Sequence, residues 1–492
     1  MTHSRQTYRW SRPIHVRRIG SMLAATALIG IVVGPGIAAA ACSTTICTGT
    51  NPCTISGTNT IDCNCTLDFG TKDVIVSGTL TTATESCPYT LKANSFDVRG
   101  TLQCRGPLAV LDIQATNGFT VQVVSNSAAK LDVKNGGTLH VTAGGAANIL
   151  GKDVTADGGT NANAGSITIS GSSFRNTSQI HADGASGGDG GVITLTATNG
   201  SVSIEGTTTV TGAGAGWGGA IALNGTGTIT TTKTLQANGG GEGGTVDITT
   251  TATGTAGLMT INGALQASGS QTDADAGQIT LDGGSLSTST DWTVNAGSGG
   301  SFGAIAVSAV GGDITTTNTN SMNANSGGGG DGGDVDIKGD HNVDLGGAIT
   351  ADTNGDLSSG GTITAAAGNN HTLTVRKTLE AKSTTDNALF DGTTDLSACN
   401  VVLIGAVKTR NTAVDTGFGE NDVTYKGTFN ATNATMLADD SGGNLIFCRC
   451  VDTSPADGTC DSPATCVSPP TLTGATITPT QVITPIIMAA CG

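Results

Sequence analysis

Apolar and polar residues alternate along most of the chain, and the alternation recurs with a long period. Nine times a large apolar residue is followed by any residue and then by a small one, usually alanine, before a turn rich in glycine or asparagine. The apolar positions have an average spacing of about 28 residues: Val154, Ile180, Val210, Leu235, Leu265, Val294, Met322, Ile349 and Leu379. A fixed period of this length predicts repeats that pack on one another.

A second motif, glycine followed by two aliphatic residues at alternate positions, occurs in phase with the first. It begins at Gly165, Gly191, Gly219, Gly244, Gly277, Gly303 and Gly333, and shorter alternating runs follow Gly200 and Gly227. Alternation with period two predicts strands with one buried face, and glycine suits the turns between them. Three strands per repeat predict an all-β fold, a parallel β-helix with three-strand coils of about 28 residues, wound right-handed by the crossover rule.

Composition and charge narrow the possible roles. Aromatic residues make up only 3% of the chain, whereas glycine occurs 75 times, so the core must be thin and aliphatic, as in a solenoid. Residues 1–41 contain five arginines and no acidic residue, so the remainder has 17 basic and 38 acidic residues. This balance excludes a nucleic-acid-binding role, because no basic stripe is present to contact phosphates.

The first 41 residues have the pattern of a secretory signal peptide. The basic start precedes an apolar stretch from Met22 to Val33, and Ala38 to Ala41 form a small-residue cleavage site. We therefore expect a secreted or bacterial cell-surface protein with no transmembrane span in its mature part. Cys42 follows the alanines directly and is a possible lipidation site, which would make the protein an outer-membrane lipoprotein.

The 13 cysteines lie only near the two ends, and none occurs between Cys104 and Cys399. In an exported protein this distribution predicts disulfides in the terminal regions, without fixing which cysteines pair. Metal binding is the alternative, but the one-residue spacing in Cys63-Asn64-Cys65 and Cys448-Arg449-Cys450 is poor for tetrahedral zinc. With Cys42 set aside for lipidation, the disulfide candidates are Cys47, Cys53, Cys63, Cys65, Cys87, Cys104, Cys399, Cys448, Cys450, Cys460, Cys466 and Cys491.

These signals divide the chain into five parts. After the signal peptide (1–41) we expect a disulfide-rich cap with the first coils (42–107) and then the regular β-helix repeats (108–385). Irregular final coils (386–447) and an end containing cysteine and proline (448–492) complete the chain.

The repeats resemble those of bacterial pectin-lyase-like β-helix surface proteins, including adhesins and filamentous haemagglutinins. The resemblance rests on Gly190-Gly191-Val192-Ile193 and Gly218-Gly219-Ala220-Ile221, each followed by the first motif, and it covers residues 150 to 385. It implies a structural or adhesive protein that contacts polysaccharide, extracellular matrix or another cell surface. The same fold also carries polysaccharide lyases and hydrolases.

Candidate chemistry is concentrated in the turns that follow the first motif. Asp273, Asp275, Asp331 and Asp334 lie among glycines there, and oxygen ligands on tight turns suit Ca²⁺, although solvated turn acids have the same pattern. His140, His181, His341 and His371 are scattered and are expected to be strand or turn residues. The chain lacks the motifs of polygalacturonase-like hydrolases, so no catalytic residue is assigned.

The sequence therefore favours a non-enzymatic structural or adhesive role over catalysis. Two alternatives remain open. One is a carbohydrate-active enzyme that uses acidic residues on one sheet face. The other is a matrix-binding protein that depends on Ca²⁺ held along the turn edge.

Overall fold

The computed structural model describes residues 42, 46–47, 50–107, 109–123, 129–300, 303–354, 358–383, 391–410, 418–439, 442–451, 460–461 and 465–491. The predicted signal peptide lies outside these ranges. Within them the chain forms strands and one turn of 3-10 helix at Gly254–Gly257, and no helix is long and apolar enough to cross a membrane.

The described strands, β1 to β47 in chain order, form three parallel sheets that we call A, B and C. One strand from each sheet, taken in that order, makes a coil. Sheet A has 15 short strands: β1 Cys53–Ile55, β4 Asp73–Val76, β7 Ser95–Val98, β10 Phe119–Val121, β13 Ala147–Ile149, β16 Phe174–Asn176, β19 Val202–Ile204, β22 Ile229–Thr231, β25 Leu258–Ile261, β28 Ser285–Thr288, β31 Ile314–Thr316, β34 Val343–Leu345, β37 Thr372–Val375, β40 Asn400–Leu403 and β43 Phe429–Asn430.

Sheet B has the shortest strands, many of them only two residues long in the middle of the chain. Its 16 described strands are β2 Thr58–Ile61, β5 Thr79–Thr82, β8 Thr101–Gln103, β11 Lys130–Asp132, β14 Val154–Thr155, β17 Ile180–His181, β20 Thr208–Thr209, β23 Leu235–Gln236, β26 Leu265–Gln266, β29 Trp292–Thr293, β32 Ser321–Asn323, β35 Ala348–Thr350, β38 Leu379–Glu380, β41 Ala406–Lys408, β44 Thr435–Leu437 and β46 Thr476–Thr478.

Sheet C has the longest strands and forms the broadest face. Its 16 described strands are β3 Cys65–Asp68, β6 Tyr89–Ala93, β9 Val110–Ala115, β12 Thr138–Ala143, β15 Ser166–Gly171, β18 Val192–Ala197, β21 Ala220–Gly225, β24 Thr245–Thr250, β27 Gln278–Gly283, β30 Ala304–Ala309, β33 Asp334–Gly339, β36 Thr362–Ala366, β39 Thr393–Ala398, β42 Glu420–Tyr425, β45 Gly443–Arg449 and β47 Val482–Ile486.

The predicted all-β parallel β-helix is confirmed, because each strand pairs in parallel with its equivalents one coil before and one coil after. Ile193, for example, pairs with Ile167 on one side and with Ile221 on the other, and all three side chains are fully buried. The second sequence motif therefore marks the sheet C strands. Its glycine lies at a corner where coils approach closely, since a Cβ on Gly219 would collide with the carbonyl oxygen of Gly191.

The first motif marks sheet B, but two of its nine positions are assigned differently by the structure. Thr208, not Val210, pairs with Ile180 and Leu235, and Trp292, not Val294, pairs with Leu265. Val210 and Val294 are buried at the position that alanine occupies in other coils. A shift of two residues keeps a side chain on the same face of a strand, so the apolar pattern alone could not fix this register.

Twelve of the 13 cysteines form six disulfides, with Cα–Cα distances from 4.9 to 5.8 Å. The pairs are Cys42–Cys65, Cys47–Cys53, Cys63–Cys87, Cys399–Cys491, Cys448–Cys466 and Cys450–Cys460. The structure thus differs from the predicted set, since Cys42 is paired and Cys104 is a buried thiol. Burial raises the pKa of Cys104 to about 12, and its Sγ donates to the Cys87 carbonyl oxygen over 2.9 Å. This cysteine fills core space, which sequence spacing could not distinguish from pairing.

Candidate functional site

A ladder of polar side chains connects the coils along the turns that join sheet B to sheet C, which we call the B–C edge. The ladder position is the residue that follows the buried position occupied by alanine in most coils and by Val210 and Val294 in two of them. The side-chain oxygen of Asn325, for example, accepts a hydrogen bond from the backbone N–H of Asp352 in the next coil (2.9 Å). The residues at this position are Asp157, Asp183, Thr211, Asn238, Ser268, Asn295, Asn325, Asp352 and Lys382.

The same hydrogen bond recurs at most steps of the ladder. It joins Asp183 to Asp157 (3.0 Å), Thr211 to Asp183 (2.7 Å), Ser268 to Asn238 (2.8 Å), Asn295 to Ser268 (3.0 Å), Asn325 to Asn295 (3.1 Å) and Lys382 to Asp352 (3.1 Å), with the first residue of each pair donating its backbone N–H. Each of these short side chains places an oxygen within hydrogen-bond distance of the next coil, at a point where the backbone pairing of sheet B has ended. These side chains therefore satisfy backbone donors that would otherwise lack a partner.

At one end of the ladder three potential metal ligands meet. Asp157, His181 and Asp183 offer ligand atoms within 4.8 Å of one another, and they form the only such group among the described residues. His181 Nδ1 lies 2.8 Å from Asp157 Oδ1. Burial alone would lower the pKa of His181, but the hydrogen bond to Asp157 and the nearby carboxylates raise it above its ordinary value.

Three of the four carboxylate oxygens of this group already have donors. Asp157 Oδ1 also accepts the N–H of Asp183 (3.0 Å), and the two oxygens of Asp183 accept from Thr211 and from the Thr209 hydroxyl (2.8 Å). The arrangement is therefore a hydrogen-bonded end of the ladder, and we assign no metal to it.

The four aspartates predicted to bind calcium lie in two separated coils, three of them on the B–C edge and Asp334 at the start of β33 beside it. Asp273 and Asp275 lie between β26 and β27, whereas Asp331 and Asp334 lie two coils further along, and none belongs to the group around His181. Asp331 Oδ1 accepts the backbone N–H of Ser359 over 2.8 Å. Burial raises the pKa of Asp334, opposed by a hydrogen bond from Thr362. Calcium binding by these residues stays a prediction.

A cluster of carboxylates lies on the outer face of sheet C near its C-terminal end. Asp395 and Asp422 are register partners on adjacent strands, and Glu420 lies two residues before Asp422 on the same face. Burial, the negative charge and hydrogen bond of Glu420, and the charge of Asp395 raise the pKa of Asp422 to about 8. Burial also raises the pKa of Asp395. The cluster therefore retains a proton near neutral pH, as a general acid requires.

Neither cluster was identified from the sequence, but one of them had a signal there. Ala156-Asp157-Gly158 and Ala182-Asp183-Gly184 repeat the same three residues at equivalent positions of consecutive coils. Extending the first motif by one residue would have located seven of the nine ladder positions, all but Thr211 and Asn295. The Asp395–Asp422 pair joins only two adjacent coils, so no repeated sequence pattern identifies it. Of the histidines, His140 and His181 lie in strands, and His341 and His371 lie in turns with rings stacked at 4.6 Å, as expected.

Comparison with known proteins gave no match: no protein-family model, no curated protein and no solved structure is significantly similar to the chain. The parallel β-helix is therefore shown by the structure of this chain and not by similarity to a known protein.

Proposed function

We propose that the protein is an exported, non-enzymatic rod with a structural or adhesive role at a bacterial cell surface or in the extracellular space. The observation that carries the proposal is the polar ladder of the B–C edge. Asp157, Asp183 and Asp352 use side-chain oxygens to accept backbone N–H groups of the following coil. The acids of this edge thereby stabilise the stack, a role that needs neither substrate nor cofactor.

Export is supported by the cysteine pairs, because disulfides persist in oxidising compartments. The Cys42–Cys65 pair bears on anchoring, since a thiol engaged in a disulfide cannot also carry a thioether-linked lipid. We therefore favour a disulfide-bonded Cys42 over a lipidated one. The mass of the exported protein before and after reduction distinguishes the two forms: a diacylglycerol adduct on Cys42 would establish the lipoprotein.

The test of the main proposal combines binding and cleavage on the same panel of polysaccharides and matrix proteins. We expect the full chain to adhere to surfaces bearing at least one of these polymers while their lengths stay unchanged. New reducing ends, or the ultraviolet absorbance of unsaturated uronates, would show that the protein is an enzyme and would overturn the proposal.

One observation favours a second candidate, a carbohydrate-active enzyme. The Asp395, Glu420 and Asp422 cluster contains a carboxyl group protonated near neutral pH beside other carboxyl groups, as glycoside hydrolysis requires. Should cleavage be found, Asp422→Asn would abolish it. Asp282→Asn, on the outer face of the same sheet but distant along the rod, would leave it unchanged.

The calcium-dependent alternative has a simple test of its own. Asp273, Asp275 and Asp331 lie on glycine-rich turns of the B–C edge, and Asp334 is the first residue of β33 next to that edge. Calorimetric titration of the full chain with CaCl₂ to millimolar concentration would show heat of binding that is lost in Asp273→Asn/Asp275→Asn or in Asp331→Asn. A flat titration would remove this candidate.

A further inference from the structure

One turn of the B–C edge is shorter than the turns beside it. Six residues (238–243) lie between Ala237 and Gly244, whereas the equivalent turns of the coils before and after have eight (211–218) and nine (268–276). The short turn leaves a shallow groove of about 430 Å³ between its longer neighbours. Glycine forms the groove floor, and the polar side chains that line it are Thr211, Gln236, Asn238, Ser268 and Ser270.

The groove floor is held in place by close contacts that only glycine permits. A Cβ on Gly240 would collide with the carbonyl oxygen of Gly214. The same oxygen accepts a hydrogen bond of 2.9 Å from the side-chain amide of Gln271, which thus bridges the two longer turns across the short one. Gln271 also donates its backbone N–H to the Gly240 carbonyl oxygen (2.9 Å). The groove is therefore formed before any ligand arrives.

An exposed tryptophan lies beside this floor. Trp217 is 56% exposed, and a Cβ on Gly241 would lie 2.7 Å from its Cδ1 atom, so the indole edge rests on the glycine next to Gly240. The backbone N–H of Trp217 donates to Asp189 Oδ1 (2.9 Å), which fixes the turn that carries the ring. A large aromatic surface is thus held open to solvent at a defined place.

Two groups at the groove are available to a ligand. Within the described part of the chain, neither the side-chain amide of Gln236 nor the indole N–H of Trp217 has a hydrogen-bond partner. Gln236 offers both donors and an acceptor, and Trp217 offers one donor beside an apolar ring. The Ser270 hydroxyl, 3.2 Å from the Gly239 carbonyl oxygen, retains acceptor capacity.

We propose that this groove and Trp217 bind a neutral glycan, a chain of hexose or N-acetylhexosamine units. A pyranose ring has an apolar C–H face that stacks on an indole and a rim of hydroxyls that pair with amides and alcohols. None of the residues lining the groove is charged. The inference rests on the proposed adhesive role and gives that role a ligand class and a site.

The surrounding charge disfavours polyanionic ligands. Glu242 lies in the short turn, and Asp273 and Asp275 lie in the longer turn that follows. Like charges repel, so a polyuronate or a nucleic acid would approach this part of the edge less easily than a neutral chain.

The test uses the full disulfide-bonded chain with cellohexaose, chitohexaose and an oligogalacturonate as probes. We expect at least one neutral probe to bind in calorimetry and to shift the tryptophan emission to shorter wavelength, with no binding of the oligogalacturonate. Trp217→Ala should weaken binding about tenfold, the loss of one aromatic stacking contact. Trp217→Phe should weaken it less, and subtracting its spectrum from that of the wild type isolates the emission of Trp217.

Phe418→Ala is the matched control, because Phe418 is an exposed aromatic residue (54%) elsewhere on the rod. The inference would be overturned if no neutral probe bound, or if Phe418→Ala weakened binding as much as Trp217→Ala. It would also be overturned if concentrating the protein without a probe shifted the Trp217 emission to shorter wavelength, because that would indicate docking of a second copy. A probe that binds at Trp217 and is then cleaved would instead overturn the non-enzymatic role and leave the site standing.

Discussion

The coils at the two ends and the coils in the middle are stabilised by different means. Six disulfides lie in the terminal regions, and none occurs in the long stretch between Cys104 and Cys399, where the polar ladder from Asp157 to Lys382 joins successive coils instead. A middle coil has a neighbour on each side and can share hydrogen bonds with both. A terminal coil has only one, so covalent bonds replace the contacts that are missing.

The largest expected effect is at the C-terminal end. Cys399 and Cys491 are 92 residues apart in sequence, so their disulfide closes a long loop. Replacing both by alanine should lower the free energy of unfolding of the final coils by about 4 kcal/mol, measured by denaturant titration and limited proteolysis. Cys104→Ser leaves all six pairs in place and should cost far less. Equal losses in the two variants would show that the Cys399–Cys491 disulfide stabilises this end no more than an unpaired buried side chain does.

The next effect concerns pH dependence near the same end. The pKa of Asp422 is raised to about 8, whereas an unfolded aspartate has a pKa of about 3.9. The folded chain therefore retains a proton that the unfolded chain releases, and stability should fall as the pH rises from about 4 to 8. Thermal unfolding across this range should show a flatter profile for Asp422→Asn. A profile as steep as that of the wild type would contradict the assignment.

A smaller loss is expected in the middle from breaking one step of the ladder. Asn325→Ala removes the acceptor of the Asp352 N–H and should cost about 1 kcal/mol, with faster hydrogen exchange at that amide. Asn325→Asp keeps an acceptor oxygen and should restore most of the protection. Thr293→Ala, on a neighbouring strand outside the ladder, is the control. If the Asp352 amide exchanged as fast in this variant as in Asn325→Ala, the ladder hydrogen bond would not be what protects it.

The smallest expected effect is a pH-dependent loss of stability at the end of the ladder that contains His181. The folded pKa of His181 is raised, so its contribution to stability is complete below the unfolded pKa of about 6.5 and is lost as the pH rises through the folded value. The midpoint difference between wild type and His181→Gln should therefore be larger at pH 5.5 than at pH 8.5. His371→Gln controls for the loss of an imidazole, and a difference independent of pH would contradict the pairing with Asp157.

The sequence predicted the repeat and its strands because burial follows chain position directly. Ile167, Ile193 and Ile221 recur at the coil period and lie in one buried column. It did not predict the Asp395–Asp422 pair, which arises when two residues 27 positions apart become neighbours through a register that only the folded coils define. The same reason explains why the sequence did not predict that Cys104 is an unpaired buried thiol, since its burial depends on which interior column it joins.

The pairing of each strand with its exact counterpart in the next coil has a consequence for length. Removing or duplicating one whole coil leaves every remaining pair aligned and changes the height of the stack by about 4.8 Å, the distance between neighbouring strands. Insertions that do not complete a coil must instead bulge out at a turn. The chain can therefore be lengthened or shortened by whole coils between its disulfide-bonded ends. A surface feature such as Trp217 then moves along the stack in steps of one strand spacing, and its own surroundings do not change.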